Sequence, residues 1–62
     1  MNKIKELRKE KGLTQTQLAE LAGTGQSRIS QYESGDMPVE NMTIGQAKKI
    51  ADALGVKLED LL

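Results

Sequence analysis

The chain has no cysteine, histidine, tryptophan or phenylalanine, and only one tyrosine (Tyr32) and one proline (Pro38) in its 62 residues. Each absence closes a route. Without cysteine there are no disulfides, and without cysteine or histidine the usual zinc ligand sets are missing, so neither common staple of a small fold is available. The same two absences remove most nucleophile and general-base pairings. Gly23-x-Gly25 does not continue to a third glycine, because Arg28 stands there, and no phosphate loop is present. Glu59 and Asp60 read as helix surface. An enzyme is therefore not expected, nor a cofactor or a small-molecule substrate.

Long apolar runs are lacking as well. Nothing approaches the roughly 20 apolar residues of a membrane span, and the N-terminal end lacks the apolar stretch of a signal peptide. A cytoplasmic chain without a membrane partner is the expectation. Neither sign of charge is in excess: nine Lys and Arg balance nine Asp and Glu. This counts against nucleic acid, because most domains that bind it carry surplus cations that release counterions from phosphate. The charges are nonetheless segregated. Residues 1–13 hold Lys3, Lys5, Arg8, Lys9 and Lys11 against Glu6 and Glu10, whereas Asp36, Glu40, Asp52, Glu59 and Asp60 make the later part acidic.

What remains is Leu, Ile, Ala and Val among polar helix formers, in a length that allows one domain over residues 1–62. The pattern is helical throughout. Asn2 is a possible cap for a first helix over about 3–11, with Ile4 and Leu7 on one face and Gly12 ending it. Thr14 and Gln17 form a Thr-x-x-Gln capping box, and Leu13 and Leu18 occupy the positions of a hydrophobic staple. The second helix carries Leu18, Leu21 and Ala22 and stops at Gly23. Ile29 and Tyr32 set the inner face of a third, closed by Gly35 and Pro38. Thr43 and Gln46 repeat the capping box with Met42 and Ala47 as staple, opening a fourth helix with Ile44, Ala47, Ile50, Ala51 and Leu54 on one face. Gly55 ends it, and Val56, Leu58, Leu61 and Leu62 suggest a last short helix that packs back or meets a partner.

Two short helices joined by a few residues that include glycine make a helix-turn-helix, over about residues 15–34. Ala19 is small where the second helix must be approached closely, Gly23 holds the turn, and Ile29 and Tyr32 face inward. The chain resembles the Cro and lambda-repressor type of regulators, also called the XRE type. The resemblance rests on Ile4-x-x-Leu7-Arg8, Gly12-Leu13-Thr14-Gln15, Leu18-Ala19, Ile29-Ser30-x-Tyr32-Glu33-x-Gly35 and Ala47-x-x-Ile50-Ala51-x-x-Leu54-Gly55-Val56. It implies an all-α, compact five-helix lambda-repressor-like domain, a transcriptional regulator, usually a repressor, that binds duplex DNA as a homodimer.

The third helix can also be read by angle, at about 100° per residue. Opposite Ile29 and Tyr32 lie Ser27, Ser30, Gln31 and Ser34, with Gln26 and Arg28 beside them in the first turn. A glutamine amide can pair with the N6 and N7 of adenine, an arginine with the O6 and N7 of guanine, and serine with either. Gln26, Ser27, Arg28 and Gln31 are the candidate base readers. The bland alternative is a solvated helix face.

Phosphate candidates are Thr14, Gln15, Thr24, Ser30 and Ser34. Gln15 opens the second helix, whose amides and dipole suit an anion, and the resemblance implies that its position touches DNA. Thr14 serves equally well as a cap alone. Arg8 and Glu33 each border an apolar stripe, and the resemblance implies an ion pair between them, with Arg8 also near a phosphate; otherwise they are two solvated charges of little consequence. One departure stands out, since many relatives carry Lys or Arg after the glycine matching Gly35 and this chain has Asp36 and Met37.

The rival to a DNA-binding regulator is a protein-interaction module of the same fold, such as an antitoxin-like partner, with Leu58, Leu61 and Leu62 against another chain. A homodimer predicts a near-palindromic operator with half-sites about 34 Å apart.

Overall fold

Thr14 shows how the local chemistry becomes structure. In the computed structural model, which describes residues 3–38 and 41–61, its hydroxyl accepts from the Gln17 backbone N–H at 3.0 Å. The Gln17 side-chain oxygen accepts from the Thr14 N–H at 2.9 Å. That reciprocal capping box opens α2 (Gln15–Ala22) after α1 (Lys3–Glu10). Gly23 ends α2 at φ 68°, a left-handed conformation that costs a side-chain-bearing residue about 1–2 kcal/mol. The Thr24 N–H then reaches back to the Ala19 carbonyl at 2.9 Å and satisfies an orphan acceptor.

Three residues, Gly23 to Gly25, separate α2 from α3 (Gln26–Ser34). After the following loop come α4 (Ile44–Leu54) and a single 3-10 turn, Leu58–Leu61. The elements of the described residues are thus all helical, four α-helices and that closing turn joined by short loops, where the sequence suggested a fifth helix. Asn2, Glu40 and Leu62 lie outside the described residues. Among the described residues, no helix is long and apolar enough to cross a membrane.

α2 lies at the centre and packs against both α3 and α4, while α1 touches α3 and the C-terminal turn. The core is built from Ile4, Leu18, Ala19, Ala22, Ile29, Tyr32, Ala47, Ile50, Ala51, Leu54 and Leu61, with Met42 at its edge. Ala19 and Ala22, on the buried side of α2, are small enough to let neighbouring backbones approach.

Two leucine-type assignments fail. Leu21 is 61% exposed, because the arc drawn by Leu18, Ala19 and Ala22 is centred roughly 100° away from it on the helix. Ile44 is 77% exposed, at the margin of the α4 stripe, roughly 70° from the centre of the arc drawn by Ala47, Ile50, Ala51 and Leu54. At Thr43 only half of the second capping box forms. Its hydroxyl accepts from the Gln46 N–H at 3.1 Å, while the Gln46 side-chain nitrogen is buried without a hydrogen-bond partner.

Candidate nucleic-acid interface

The polar face of α3 and the first turn of α2 lie side by side because the three-residue turn folds one helix across the other. Gln26, Ser27, Arg28 and Gln31 are all exposed, and Ser30 and Thr24 are half-buried. Gly25 caps α3 with no side-chain hydrogen bond to its first amides.

Beneath this face runs a chain of four side chains. The Arg8 guanidinium donates through Nε to Glu33 Oε2 at 2.6 Å and through Nη2 to Glu33 Oε1 at 3.1 Å. Its third nitrogen, Nη1, donates to the Leu13 carbonyl at 2.7 Å. Every guanidinium nitrogen therefore has an acceptor inside the domain. The Gln15 side-chain nitrogen donates to the same Glu33 Oε1 at 3.1 Å, and the Gln26 side-chain nitrogen donates to Gln15 Oε1 at 2.6 Å. The chain thus passes from α1 through the end of α3 and the start of α2 to the start of α3.

The ion pair sits largely out of water, with the Arg8 and Glu33 side chains 12% and 3% exposed. Burial opposes ionisation of Glu33. The hydrogen bonds from Arg8 and Gln15 and the charges of Arg8 and Lys5 together outweigh it, holding the carboxyl below its ordinary value.

The structure sorts the expected contacts. Ser27, Arg28 and Gln31 point side chains outward that make no hydrogen bond within the described residues. Gln26 is exposed but tethered to Gln15. Thr14 uses its oxygen as an acceptor for the cap, which leaves its O–H proton available. Ser34 has less to offer, since its hydroxyl donates to the Gln31 carbonyl at 3.2 Å and accepts from the Asp36 N–H at 3.3 Å. Both bonds of Gln15 are invisible in the sequence, because Gln15 lies on α2 and its partners Gln26 and Glu33 on α3, across a break in the helix.

A second surface lies away from this face. Ile44, Ala51, Val56 and Leu58 line an open groove of about 800 Å³, rimmed by Lys48, Asp52, Lys57 and Glu59. Of the two outcomes the sequence left open for Leu61, packing back or meeting a partner, the structure shows the first: it is 4% exposed and belongs to the core, which removes it from the partner surface of the rival reading.

A helix of eight residues, a glycine turn and a nine-residue helix packed across the first make a helix-turn-helix unit. A family model described as helix-turn-helix matches residues 4–61, and the chain belongs to that family. It is similar to the biofilm master regulator SinR, solved in complex with DNA, at 36% identity and a TM-score of 0.88, covering 95% of this chain and 90% of that one. The controller protein C.AhdI of a restriction-modification system from Aeromonas hydrophila is similar at 34% identity and a TM-score of 0.85, covering 95% and 85%. A curated relative named "Putative antitoxin HigA2", from Mycobacterium tuberculosis, is 39% identical over 57 residues, or 92% of this chain. The chain spans 54% of that relative's length.

Proposed function

We propose that this domain is a cytoplasmic transcriptional regulator, a repressor, that binds duplex DNA in a sequence-specific way with α3 in the major groove. The observation that carries this reading is the row of exposed, outward side chains on α3, beside the first turn of α2. Gln26, Ser27, Arg28 and Gln31 read base edges. Thr14 donates its free proton to a phosphate while its oxygen caps α2. Gln15, Thr24 and Ser30 meet phosphates alongside, and Ser34 joins them only by releasing the Gln31 carbonyl. Arg8 acts from below as the partner of Glu33. The complex of SinR with DNA supports the assignment through a related fold.

The working form is a homodimer. The longest extent of the domain is 25 Å, whereas successive major-groove faces on one side of a duplex lie about 34 Å apart. One copy cannot reach both, so a two-fold pair is needed for a near-palindromic operator. The exposed Ile44 and the groove beside it form an apolar surface open to pairing. The relative named as an antitoxin supports a second reading, in which this groove holds a different protein.

Selection of bound sequences from random duplexes, with binding then measured against salt, tests the function. A near-palindromic consensus is expected. Binding without sequence preference, or no binding at low salt, would overturn it.

A further inference from the structure

We propose that Glu33 is a positioning residue for base recognition: acting through Gln15, its carboxylate sets the order of acceptor and donor that the Gln26 amide presents. The inference rests on the reading of Gln26 as a base contact. It concerns a group that touches no DNA itself, since the Glu33 side chain is 3% exposed beneath the interface.

A side-chain amide offers an acceptor on one side and a donor on the other, with almost the same shape when turned over. For an exposed glutamine both orientations are open. A base can tell them apart. Here the orientations are chosen from below. An ionised carboxylate can only accept, and Glu33 is kept ionised by its two hydrogen bonds from Arg8. The Gln15 atom 3.1 Å from Glu33 Oε1 must therefore be the nitrogen. This turns the Gln15 oxygen toward Gln26, and only a donor can approach it at 2.6 Å. The Gln26 nitrogen takes that place. Two amides 11 residues apart in sequence are thus oriented by one buried carboxylate.

What Gln26 has left for a ligand follows directly. Its oxygen is uncommitted, and its nitrogen keeps one hydrogen after serving Gln15. One acceptor lies beside one donor in a fixed order, the complement of the N6 donor and N7 acceptor of adenine in the major groove. With Gln15 reversed, Gln26 would turn over and offer the same groups in the opposite order. Holding the amide in advance also removes part of the side-chain ordering cost of binding.

The test uses duplexes that differ only at the base pair whose preference is lost in Gln26→Ala. Glu33→Gln removes the acceptor-only group, and Gln15→Met removes the relay while keeping its length. Each is expected to lower discrimination at that base pair by about tenfold, and the double variant to lower it no further. Ile50→Val, a core change that lowers stability without touching the relay, is expected to leave discrimination unchanged. In the free domain, the side-chain amide resonances of Gln15 and Gln26 should both move in Glu33→Gln, and that of Gln26 in Gln15→Met. Should Glu33→Gln fail to fold, Glu33→Asp, which keeps the acceptor-only carboxylate but draws it back from Gln15 by one methylene, takes its place with the same expected loss. Discrimination kept within twofold in Gln15→Met, or amide resonances that stay in place, overturns the positioning role while Gln26 remains a base reader. If Gln26→Ala changes no base preference, the base-reading assignment falls and this inference with it.

Discussion

The Arg8–Glu33 pair carries weight for stability because it is buried and its donors and acceptors are matched. Removing one member of such a pair leaves an uncompensated charge out of water, at a cost of about 3–5 kcal/mol. Arg8→Met is expected to cause that loss, measured by urea unfolding. The lowered carboxyl of Glu33 sets the direction in pH. Its contribution is complete above the ordinary carboxylate value, near 4.3, and is lost as pH falls through the lower value of the folded state. The acid limb of wild-type stability should therefore be steeper than that of Glu33→Gln. On the outer face, Arg28→Ala and Gln31→Ala are each expected to relax discrimination at particular base pairs by roughly 1–3 kcal/mol. Gln15→Ala should weaken binding to every sequence as well as disturb Gln26, and competition binding against a random duplex separates the two effects. Arg8 and Glu33 could be singled out in the sequence because each borders an apolar stripe. The bonds of Gln15 could not, since they join residues 11 and 18 positions apart that share no helix.

Helix ends are where local sequence speaks most directly. Thr14, Gln17 and Gly23 bound α2 with bonds made inside a few residues of chain, and no distant contact is needed to form them. Thr14→Ala is expected to cost about 1 kcal/mol. Gly23→Ala should cost about 1–2 kcal/mol from its left-handed backbone, because the nearest atom to an added methyl is the flexible Lys49 ammonium at 3.9 Å. Thermal unfolding measures both. Helix faces are less legible than helix ends. Leu21 and Ile44 have the spacing of core residues yet are exposed, since a spacing of three or four residues fits more than one arc of a helix and the packing of its neighbours selects which arc is covered. The last element shows the same limit: Leu61 enters the core from a single 3-10 turn.

At the scale of the whole molecule, size and charge shape the way DNA is bound. Zero net charge gives little general attraction to phosphate, so affinity leans on matched contacts and, in the homodimer proposed above, on the pairing of two copies. Ile44→Glu places a charge at the apolar groove on a side chain already exposed. It is expected to shift the domain toward monomer in sedimentation and to weaken operator binding, while leaving the unfolding temperature near that of wild type. Unchanged self-association in that variant would remove the groove from the dimer. Ile50→Ala, by contrast, empties a fully buried site and should cost about 2–5 kcal/mol, a large share of the stability of so small a domain.

The sequence alone determined the helical class, the starts and stops of α2 and α3, and the polar stripe of α3. These depend on caps, glycines and spacing that act within one or two turns. Only the tertiary structure decided which apolar residues find partners, that Leu61 is core and Ile44 surface, and that Glu33, Gln15 and Gln26 form one line of hydrogen bonds. Those outcomes depend on where separate helices meet. A side chain reaches only a few ångströms, so its partner is set by the packing of the elements that carry it, which no local pattern records.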